Sequence, residues 1–518
     1  MTASRLLDTA ALGLAVALLS ALVHWWVRPE IVFLVLLGVV TARLLVAPVA
    51  VPAFDPRRIL LAGMLAYAAG FSFITVSRHL TFLTHALDLG YYVQLTWNLA
   101  GGRGARVSLP EMHAWGDHLS PIMYAFVPLF WVAPGPVALL IAQSVALALG
   151  ALAVFALARR RLGDERSAAA FALLYLVNPS LHGINVRDFH AAALAIPLLL
   201  VAIHAGESGR LWLLAVATAL TLACREDAAV PVIGLGAWLA IGRRRWLCGT
   251  AVAALALTIL VVDVRWVIPL YRAEPYPHLG RYAHLGASFA GILVSLALHP
   301  LQAVAGAFSG ERLAYLLALL APLGFLPLLA PLDLLGALPG LAENLLATDP
   351  ILYSHRTQYQ AFVLPFLIAA AIVGHARVTA RWPRWRAPIL ALATVASLAL
   401  AARTVNNFAV ARWWPEPATR AARSLLARVP PAAPVSAQDP YVPHLSLRPL
   451  VFVFPVGIDR SEYIVLNSAS YPWRNLPDVS MERGGDTVTI TMPGGARYRY
   501  TVAGEAGPHL LLRTPGAG

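Results

Sequence analysis

The sequence predicts an all-α polytopic membrane bundle with a small water-exposed α/β domain at its C-terminal end. Three observations carry that expectation. Hydrophobic residues make up 59% of the 518 residues and charged residues only 13%, with a mean hydropathy of +0.69. A soluble domain is about a quarter charged, so this chain cannot clothe a water-facing surface. Apolar segments of membrane-crossing length recur through the first 405 residues, and past residue 406 they give way to short alternating strands and turn residues.

Crossing the hydrocarbon core takes about 20 apolar residues in a helix. Segments 10–27, 31–51, 59–77, 136–158, 246–270, 313–330, 358–374 and 388–405 meet that requirement. Shorter apolar segments lie at 122–133, 167–180, 190–205, 211–223, 228–242, 289–298 and 332–346. With tilted and half-spanning segments included, roughly 11 to 14 membrane helices are expected. Pro128, Pro197, Pro322, Pro327 and Pro365 fall inside these segments and predict kinks, because neighbouring helices can satisfy the freed backbone groups. Arg5 ahead of the run Ala10 to Val27 has the outline of a signal peptide. No small-residue cleavage site follows and a second apolar run begins at Ile31, so the first run reads as a transmembrane helix.

The net charge of +13 comes from arginine alone, since the chain has no lysine. With the heavy use of Ala, Gly and Pro, that bias points to a GC-rich bacterial genome, and the spans to the inner membrane. Arginine clusters at Arg57-Arg58, Arg159 to Arg161, Arg243 to Arg245 and Arg377 to Arg386 mark cytoplasmic loops. Three spans then deliver loop 78–121 to the outside. One conflict remains: if both 122–133 and 136–158 span, Arg159 to Arg161 land outside. The first is twelve residues long, too short to cross upright, and is expected to be re-entrant. No basic run interleaves with aromatics in a soluble segment, so nucleic acid is not an expected partner. Cys224 and Cys248 lie in or beside apolar helices and make neither a disulfide framework nor a metal site.

The expected domains are a transmembrane part, 1–405, and a soluble unit, 410–514. In the latter, Arg420 to Arg428 reads as a helix, and Val435-Ser436-Ala437, Leu450 to Phe454 and Ser461 to Leu466 as strands. Thr487 to Met492 and Arg497 to Val502 alternate around Pro493-Gly494-Gly495, a hairpin signal. The unit should share a side with loop 78–121.

That loop is the densest in chemistry. It holds His85, Asp88, Tyr91, Tyr92, Gln94, Trp97 and Asn98, then Glu111, His113, Trp115, Asp117 and His118. Asp88 to Ala100 can form an amphipathic helix at the membrane interface. Asp88 opens it, either as an N-cap for exposed amides or as a carboxylate held where a lipid-linked substrate meets an acceptor. Three further polar clusters interrupt apolar context: Asn185-Val186-Arg187-Asp188-Phe189-His190, Arg225-Glu226-Asp227 and Ser354-His355-Arg356. Ionisable residues in membrane segments are costly and default to function, and together with the loop these clusters predict a polar cavity. Asp117-His118 or Asp188-x-His190 can ligate a divalent cation, although neither forms a recognisable metal signature. A Walker loop, a GxSxG elbow and a dinucleotide fingerprint are all missing, which argues against ATP hydrolysis and serine hydrolysis.

Several of these runs resemble one family. They are Leu87-Asp88-Leu89-Gly90-Tyr91, Gln94, Trp97-Asn98-Leu99-Ala100-Gly101-Gly102, Gly116-Asp117-His118-Leu119-Ser120-Pro121, Asn178-Pro179, Asp188-Phe189-His190, Arg225-Glu226-Asp227-Ala228-Ala229 and Ser354-His355-Arg356. With Val429-Pro430-Pro431, Val435 to Gln438 and Pro443 to Ser446, they look like the bacterial membrane family catalogued as domain of unknown function 2079, over about residues 70–470. Two departures are Arg225, where the family usually has lysine, and the leucine of His118-Leu119-Ser120 in place of an aromatic. The family is similar to the C-type glycosyltransferases, polytopic enzymes whose long first extracytoplasmic loop bears a catalytic acidic residue.

The resemblance implies a glycosyltransferase using a polyprenyl-phosphate-linked sugar donor outside the cytoplasm. Asp88 is then the leading catalytic carboxylate, supported by Asp117 and His118. Gln94, Trp97, Asn98, Asp188, His190, Arg225, Glu226, Asp227, His355 and Arg356 are the expected substrate-binding residues, with Arg225 or Arg356 facing the phosphate. The expected partners are the lipid-linked donor, a glycan, lipid or protein acceptor, and membrane lipids. Two other classes use the same residues differently: a transporter or lipid flippase, for which inverted repeats would speak, and a non-catalytic membrane scaffold.

Overall fold

The computed structural model describes residues 2–46, 54–272, 274, 276–307, 309–413, 416–473 and 475–515. Among them, eight helices are long and apolar enough to cross a membrane: Ala3–His24, Pro29–Val46, Pro56–Leu80, Pro136–Leu162, Ala191–Ser208, Trp246–Tyr271, Leu364–Arg381 and Pro383–Phe408. The pair Glu165–Leu176 and Pro179–Val186, bent by 43°, makes a ninth if it crosses as one span. Residues 47–51 of the expected span 31–51 lie outside the described residues. Large apolar side chains such as Leu45 and Leu247 are more than four-fifths exposed, which suits a lipid-facing surface and not a water-facing one.

The shorter apolar segments explain why a count from apolar runs exceeds the number of full-length spans. Leu211–Leu222 is a twelve-residue helix, and Pro121–Val132 joins a 3-10 turn to a short helix. Segment 313–330, expected as a full span, is broken. Its helix ends at Leu320, and Gly324 (φ +59°) and Phe325 (φ +55°) both take the left-handed conformation between two 3-10 turns. The expected kinks are also corrected. Pro128 and Pro365 sit in the first two positions of their helices, Pro322 and Pro327 in the same place of 3-10 turns, and Pro197 is third in Ala195–Ser208. A proline there removes no intrahelical hydrogen bond, so these residues start helices instead of bending them.

The chain forms two compact units: Met1–Ile74, Asp117–Ile122 and Ile141–Arg412 make the first, and Thr75–Gly116, Met123–Leu140 and Trp413–Gly518 the second. Loop 78–121 is thus divided between them. In the first unit, Asp164 caps Glu165–Leu176 by accepting from the amides of Arg166 and Ser167, and Asn178 caps Pro179–Val186. Ion pairs link helix ends in a chain. Glu165 receives Arg57 (2.8 Å) and Arg159 (3.3 Å), Glu207 receives Arg161 and Arg243, and Arg243 also reaches Asp333. Arg161 and Arg243 therefore belong to one end of this unit, as the positive-inside pattern requires. Pro121–Val132, the expected re-entrant segment, is a shorter apolar helix and not among the eight of spanning length.

The second unit is built on a seven-stranded sheet. Its strands, with those of a small hairpin, are β1 (Arg106–Ser108), β2 (Glu111–His113), β3 (Val435–Ala437), β4 (Val451–Val453), β5 (Tyr463–Asn467), β6 (Ser480–Gly484), β7 (Thr487–Thr491), β8 (Arg497–Ala506) and β9 (His509–Arg513). The order is β4-β3-β5-β9-β8-β7-β6, parallel across β4-β3-β5 and antiparallel beyond. Alternation along β5 sends Tyr463 and Val465 to one apolar layer and Ile464 and Leu466 to the other. The β7–β8 turn follows its glycines, with Gly494 and Gly495 both near φ +90°. Two strands of the seven-stranded sheet were not legible, nor was the β1–β2 hairpin: β6 carries Glu482 and Arg483 on an edge, and β9 follows the Gly507-Pro508 turn.

The loop is not an interfacial amphipathic helix. Helix Tyr91–Ala100 has eight of its ten residues buried, and Ala86 and Leu109 pack into the same apolar layer as Val435 and Val465. Gly90 holds the N-cap position of that helix, and Asp88 lies inside the π turn Ala86–Gly90 that precedes it.

Candidate functional site

In the first unit, Asp117, His118, Arg225, Glu226 and Asp227 converge with residues from the segment after helix Trp246–Val262. Helix Leu211–Leu222 delivers Arg225, and the 3-10 turn Glu226–Ala228 places Glu226 with its side chain fully buried. Its carboxylate accepts three hydrogen bonds: from His118 Nδ1 (2.8 Å), the Leu119 amide (3.0 Å) and the Tyr276 hydroxyl (2.7 Å). Burial alone would raise the pKa of Glu226. The His118 ring and its hydrogen bond, with Arg225 and His278, outweigh it and hold the group down to about 2. Burial works against charge on His118 too, and Glu226 with Asp117 raises its pKa nonetheless.

His278 stands on the 3-10 turn Pro277–Tyr282, and its ring stacks on His118 with centroids 4.5 Å apart and planes 7° from parallel. Its Nε2 lies 3.8 Å from Asp117 Oδ1 and is a buried polar atom with no hydrogen-bond partner. Burial, reinforced by His118, pushes His278 down to about 2, so the ring is neutral. Ligand atoms of Asp117, His118 and His278 lie within 4.8 Å of one another. Because Nδ1 of His118 is committed to Glu226, Nε2 is the nitrogen left to ligate, and a carboxylate behind a ligating histidine is the usual support of such a site. One carboxylate and two imidazoles suit a zinc-like ion with an open position. The residues present therefore fit a divalent cation.

Arginines border this group. Arg225 forms a two-pronged pair with Asp227, at 2.6 and 2.5 Å, and packs over Tyr359 and Phe362. Arg281 donates to the Tyr359 hydroxyl (2.8 Å), stands 3.7 Å from Asp349 and covers the same Tyr359 ring. Residues three apart eclipse along a 3-10 turn, so Arg281 shares an edge with His278. Tyr276, His278, Arg281 and Tyr359 were not picked out from the sequence. The aromatic, histidine and arginine run after an apolar span was the signal that could have found the first three.

The other expected residues fall elsewhere. Asp188 (φ +60°) and His190 belong to a buried network around Gln143, whose amide donates to the Asp188 carbonyl (2.8 Å) and accepts from the His190 amide (2.8 Å). Asn185 joins through Ser144 and Tyr67. An aspartate tolerates the left-handed conformation better than bulkier residues. Arg356 donates to Thr404 Oγ1 (3.1 Å), and its backbone lies so close to Gly183 that a Cβ there would be 2.5 Å from the Arg356 Cα. The neighbouring His355 is driven down to about 4 by burial and by Arg356.

Asp88, Gln94, Trp97 and Asn98 belong to the second unit. Gln94 is engaged at both ends of its amide, donating to Ser108 Oγ, Arg448 O and Pro449 O and accepting from the Ser108 amide. Asn98 bonds the Arg106 carbonyl and Arg103 Nε, and Arg103 lies 3.5 Å over the Trp97 ring. These three side chains hold the loop to its unit.

The family model described as predicted membrane protein DUF2079 matches residues 78–484. The chain belongs to this family. No curated protein matches it at a significant level. Among solved structures, ArnT from Cupriavidus metallidurans bound to undecaprenyl phosphate is similar, with TM-score 0.50 and 13% identity over 88% of this chain and 98% of ArnT. The apo form of the same ArnT gives 0.48 and 15% over 86% and 97%. The Archaeoglobus fulgidus oligosaccharyltransferase in complex with Zn and sulfate gives 0.45 and 12% over 85% and 72%. The likeness to ArnT shows a shared fold, that of the C-type glycosyltransferases.

Proposed function

We propose that this protein is a membrane-embedded glycosyltransferase that uses a polyprenyl-phosphate-linked sugar donor on the extracytoplasmic face of a bacterial inner membrane. The observation that carries the reading is a fold shared with ArnT, whose structure holds undecaprenyl phosphate. The Asp117, His118 and His278 group supports it as a cluster of ionisable side chains gathered beside the buried Glu226, with perturbed titration of the kind that marks candidate sites. The arginine pattern supports its side: with the Arg161–Glu207–Arg243 end read as cytoplasmic, helix Leu211–Leu222 leads away from it to Arg225 and Glu226.

Asp88 acts as general base. An acceptor hydroxyl oxygen bonds the anomeric carbon while the bond from that carbon to the phosphate oxygen breaks. The electron pair goes to the lipid phosphate and the hydroxyl proton to Asp88. In the first unit, Asp117, His118 and His278 would hold a divalent cation, which when bound supplies positive charge to an anionic group. Arg281 and Arg225 add guanidinium charge, of which Arg225 is already paired with Asp227. Gln94, Trp97 and Asn98 keep the Asp88 loop in place, and Asp188, His190, His355 and Arg356 shape the helices that wall the site.

The test is lipid-linked sugar and envelope-glycan profiling of a deletion strain carrying either the wild-type gene or Asp88→Asn. The expected result is an accumulated lipid-linked sugar in both the deletion and the variant, with Asp88→Asn protein inserted at the wild-type level. Wild-type profiles from Asp88→Asn would overturn the assignment.

A further inference from the structure

The C-terminal domain holds one carboxylate whose position the reaction does not yet explain. Asp439 follows β3 and opens the 3-10 turn Asp439–Tyr441. Its Oδ2 lies 2.7 Å from His85 Nδ1 and its Oδ1 accepts from the Ala86 amide at 2.8 Å. Ala86 is the first residue of the π turn Ala86–Gly90, two positions before Asp88. One side chain therefore fixes both the imidazole and the backbone where the Asp88 turn begins.

The rest of the turn is held from the same side. Gly90 sits so close to the following helix that a Cβ there would meet Ser446 Oγ at 3.1 Å and Val442 Cγ1 at 3.4 Å. The position of Asp439 is itself well determined. The Gln438 amide donates to the Val465 carbonyl, and Gln438 Oε1 accepts from the Asn467 amide, so the end of β3 is tied to β5.

The topology makes this location a natural one for function. The chain runs from β3 to β4 on one side and then crosses to β5 on the other, and all three strands are parallel. The carboxyl end of β3 is thus a topological switch point, the place where α/β sheets present functional groups. A small α/β domain would usually receive a ligand there. Here it receives the turn that carries Asp88.

A carboxylate can only accept, so His85 donates from Nδ1 in this pair. His85 keeps more than half of its side chain exposed. We propose that Asp439 is a positioning residue for sugar transfer, acting through its bonds to the Ala86 amide and to His85 Nδ1 on the turn that bears Asp88. The C-terminal domain is then an integral part of the catalytic apparatus. This inference rests on the reading of Asp88 as general base.

The test uses full-length protein in the deletion strain, with the accumulated lipid-linked sugar quantified by mass spectrometry and its turnover followed by pulse-chase labelling. Asp439→Asn keeps one acceptor oxygen but turns a donor toward either His85 or Ala86. Turnover should fall roughly 10- to 100-fold, the usual cost of removing an orienting partner, while membrane-inserted protein and melting temperature in detergent stay at wild-type values. Asp439→Glu, which restores the charge and both acceptors, should recover part of the loss. Wild-type turnover in Asp439→Asn beside an inactive Asp88→Asn overturns this inference and leaves the reading of Asp88 intact. Full activity in Asp88→Asn overturns that reading instead. If Asp439→Asn fails to accumulate, His85→Gln, which leaves the Ala86 bond in place, carries the test. The same loss of turnover supports the proposal, and wild-type turnover, or failure of this variant to accumulate as well, reduces Asp439 to a structural role and overturns it.

Discussion

Replacing Glu226 by Gln separates the stability of the buried cluster from its capacity to hold a cation. The carboxylate takes three donors, His118 Nδ1, the Leu119 amide and the Tyr276 hydroxyl, and is fully buried. An amide offers one acceptor oxygen and presents two N–H groups where the other oxygen stood. The Leu119 N–H cannot invert, so the amide oxygen must serve it. Tyr276 can rotate its hydroxyl to accept, and His118 can accept only by moving its proton from Nδ1 to Nε2. Charge-assisted bonds are worth about 1.5–3 kcal/mol each, and a stranded buried donor costs about 1–3 kcal/mol. Because two of the three partners can adapt, the loss of stability should be about 1–3 kcal/mol, below the roughly 3–5 kcal/mol of a buried pair broken outright. The effect on metal is larger in kind, since the displaced proton occupies the nitrogen of His118 that would ligate. Zinc affinity should drop about 10- to 100-fold, measured by calorimetric titration of purified protein in detergent. Thermal unfolding gives a second view. Zinc at about one hundred times its Kd should stabilise wild-type protein by about 2.7 kcal/mol over chelator-treated protein, and Glu226→Gln by much less. Equal zinc affinity in the two proteins would refute the carboxylate–histidine arrangement. So would a wild-type protein whose stability ignores both zinc and chelator.

Three other outcomes follow from packing and charge. Gly183→Ala places a methyl 2.4 Å from the Arg356 Cβ and 2.5 Å from its backbone, so unfolding in detergent should show a loss of about 1–3 kcal/mol from overpacking. Unchanged stability would mean that the two segments are not in contact. Glu207→Gln breaks the pairs with Arg161 and Arg243 at a side chain only 5% exposed and should cost about 3–5 kcal/mol. Glu165→Gln, one-third exposed and paired with the mostly exposed Arg57, should cost far less because solvent screens the pair, and equal losses would contradict the buried network. Cysteine accessibility gives the topology, in a background where Cys224 and Cys248 are replaced by Ala. A cysteine introduced at the exposed Arg244 should label only after the inner membrane is permeabilised, and one at the exposed Ser470 should label in intact cells once the outer barrier is opened. The reverse pattern would invert the assigned orientation.

Much of this fold was legible because hydropathy is a strong signal. The helices at 136–162 and 246–271 stand close to their apolar runs, and β3, β4 and β7 close to their alternating stretches. What was lost has physical causes. Apolar runs do not reveal left-handed backbone, so the break at Gly324 and Phe325 within 313–330 was hidden. A proline in an apolar segment reads the same whether it bends a helix or starts one, and Pro128 and Pro365 start theirs. For the site, Asp117, His118 and Glu226 were visible as charges in apolar context. His278, Tyr276 and Arg281 were not, because their importance comes from stacking and hydrogen bonds between segments far apart in the sequence. Polar side chains in a loop carry no mark in the sequence of whether water, substrate or backbone will satisfy them, and Gln94 and Asn98 each bond a backbone carbonyl.

The central claim, sugar transfer from a polyprenyl phosphate with Asp88 as base, is tested most directly on purified protein. Lipid-linked sugar isolated from the deletion strain is returned to full-length protein in detergent, and release of polyprenyl phosphate is followed by mass spectrometry in a single turnover. The account predicts release by the wild-type protein and a loss of about 1000-fold or more in Asp88→Asn, at the upper range for removing a general base. Equal release by both proteins, or an intact lipid-linked sugar carried unchanged across a vesicle membrane, would contradict it and favour a transporter.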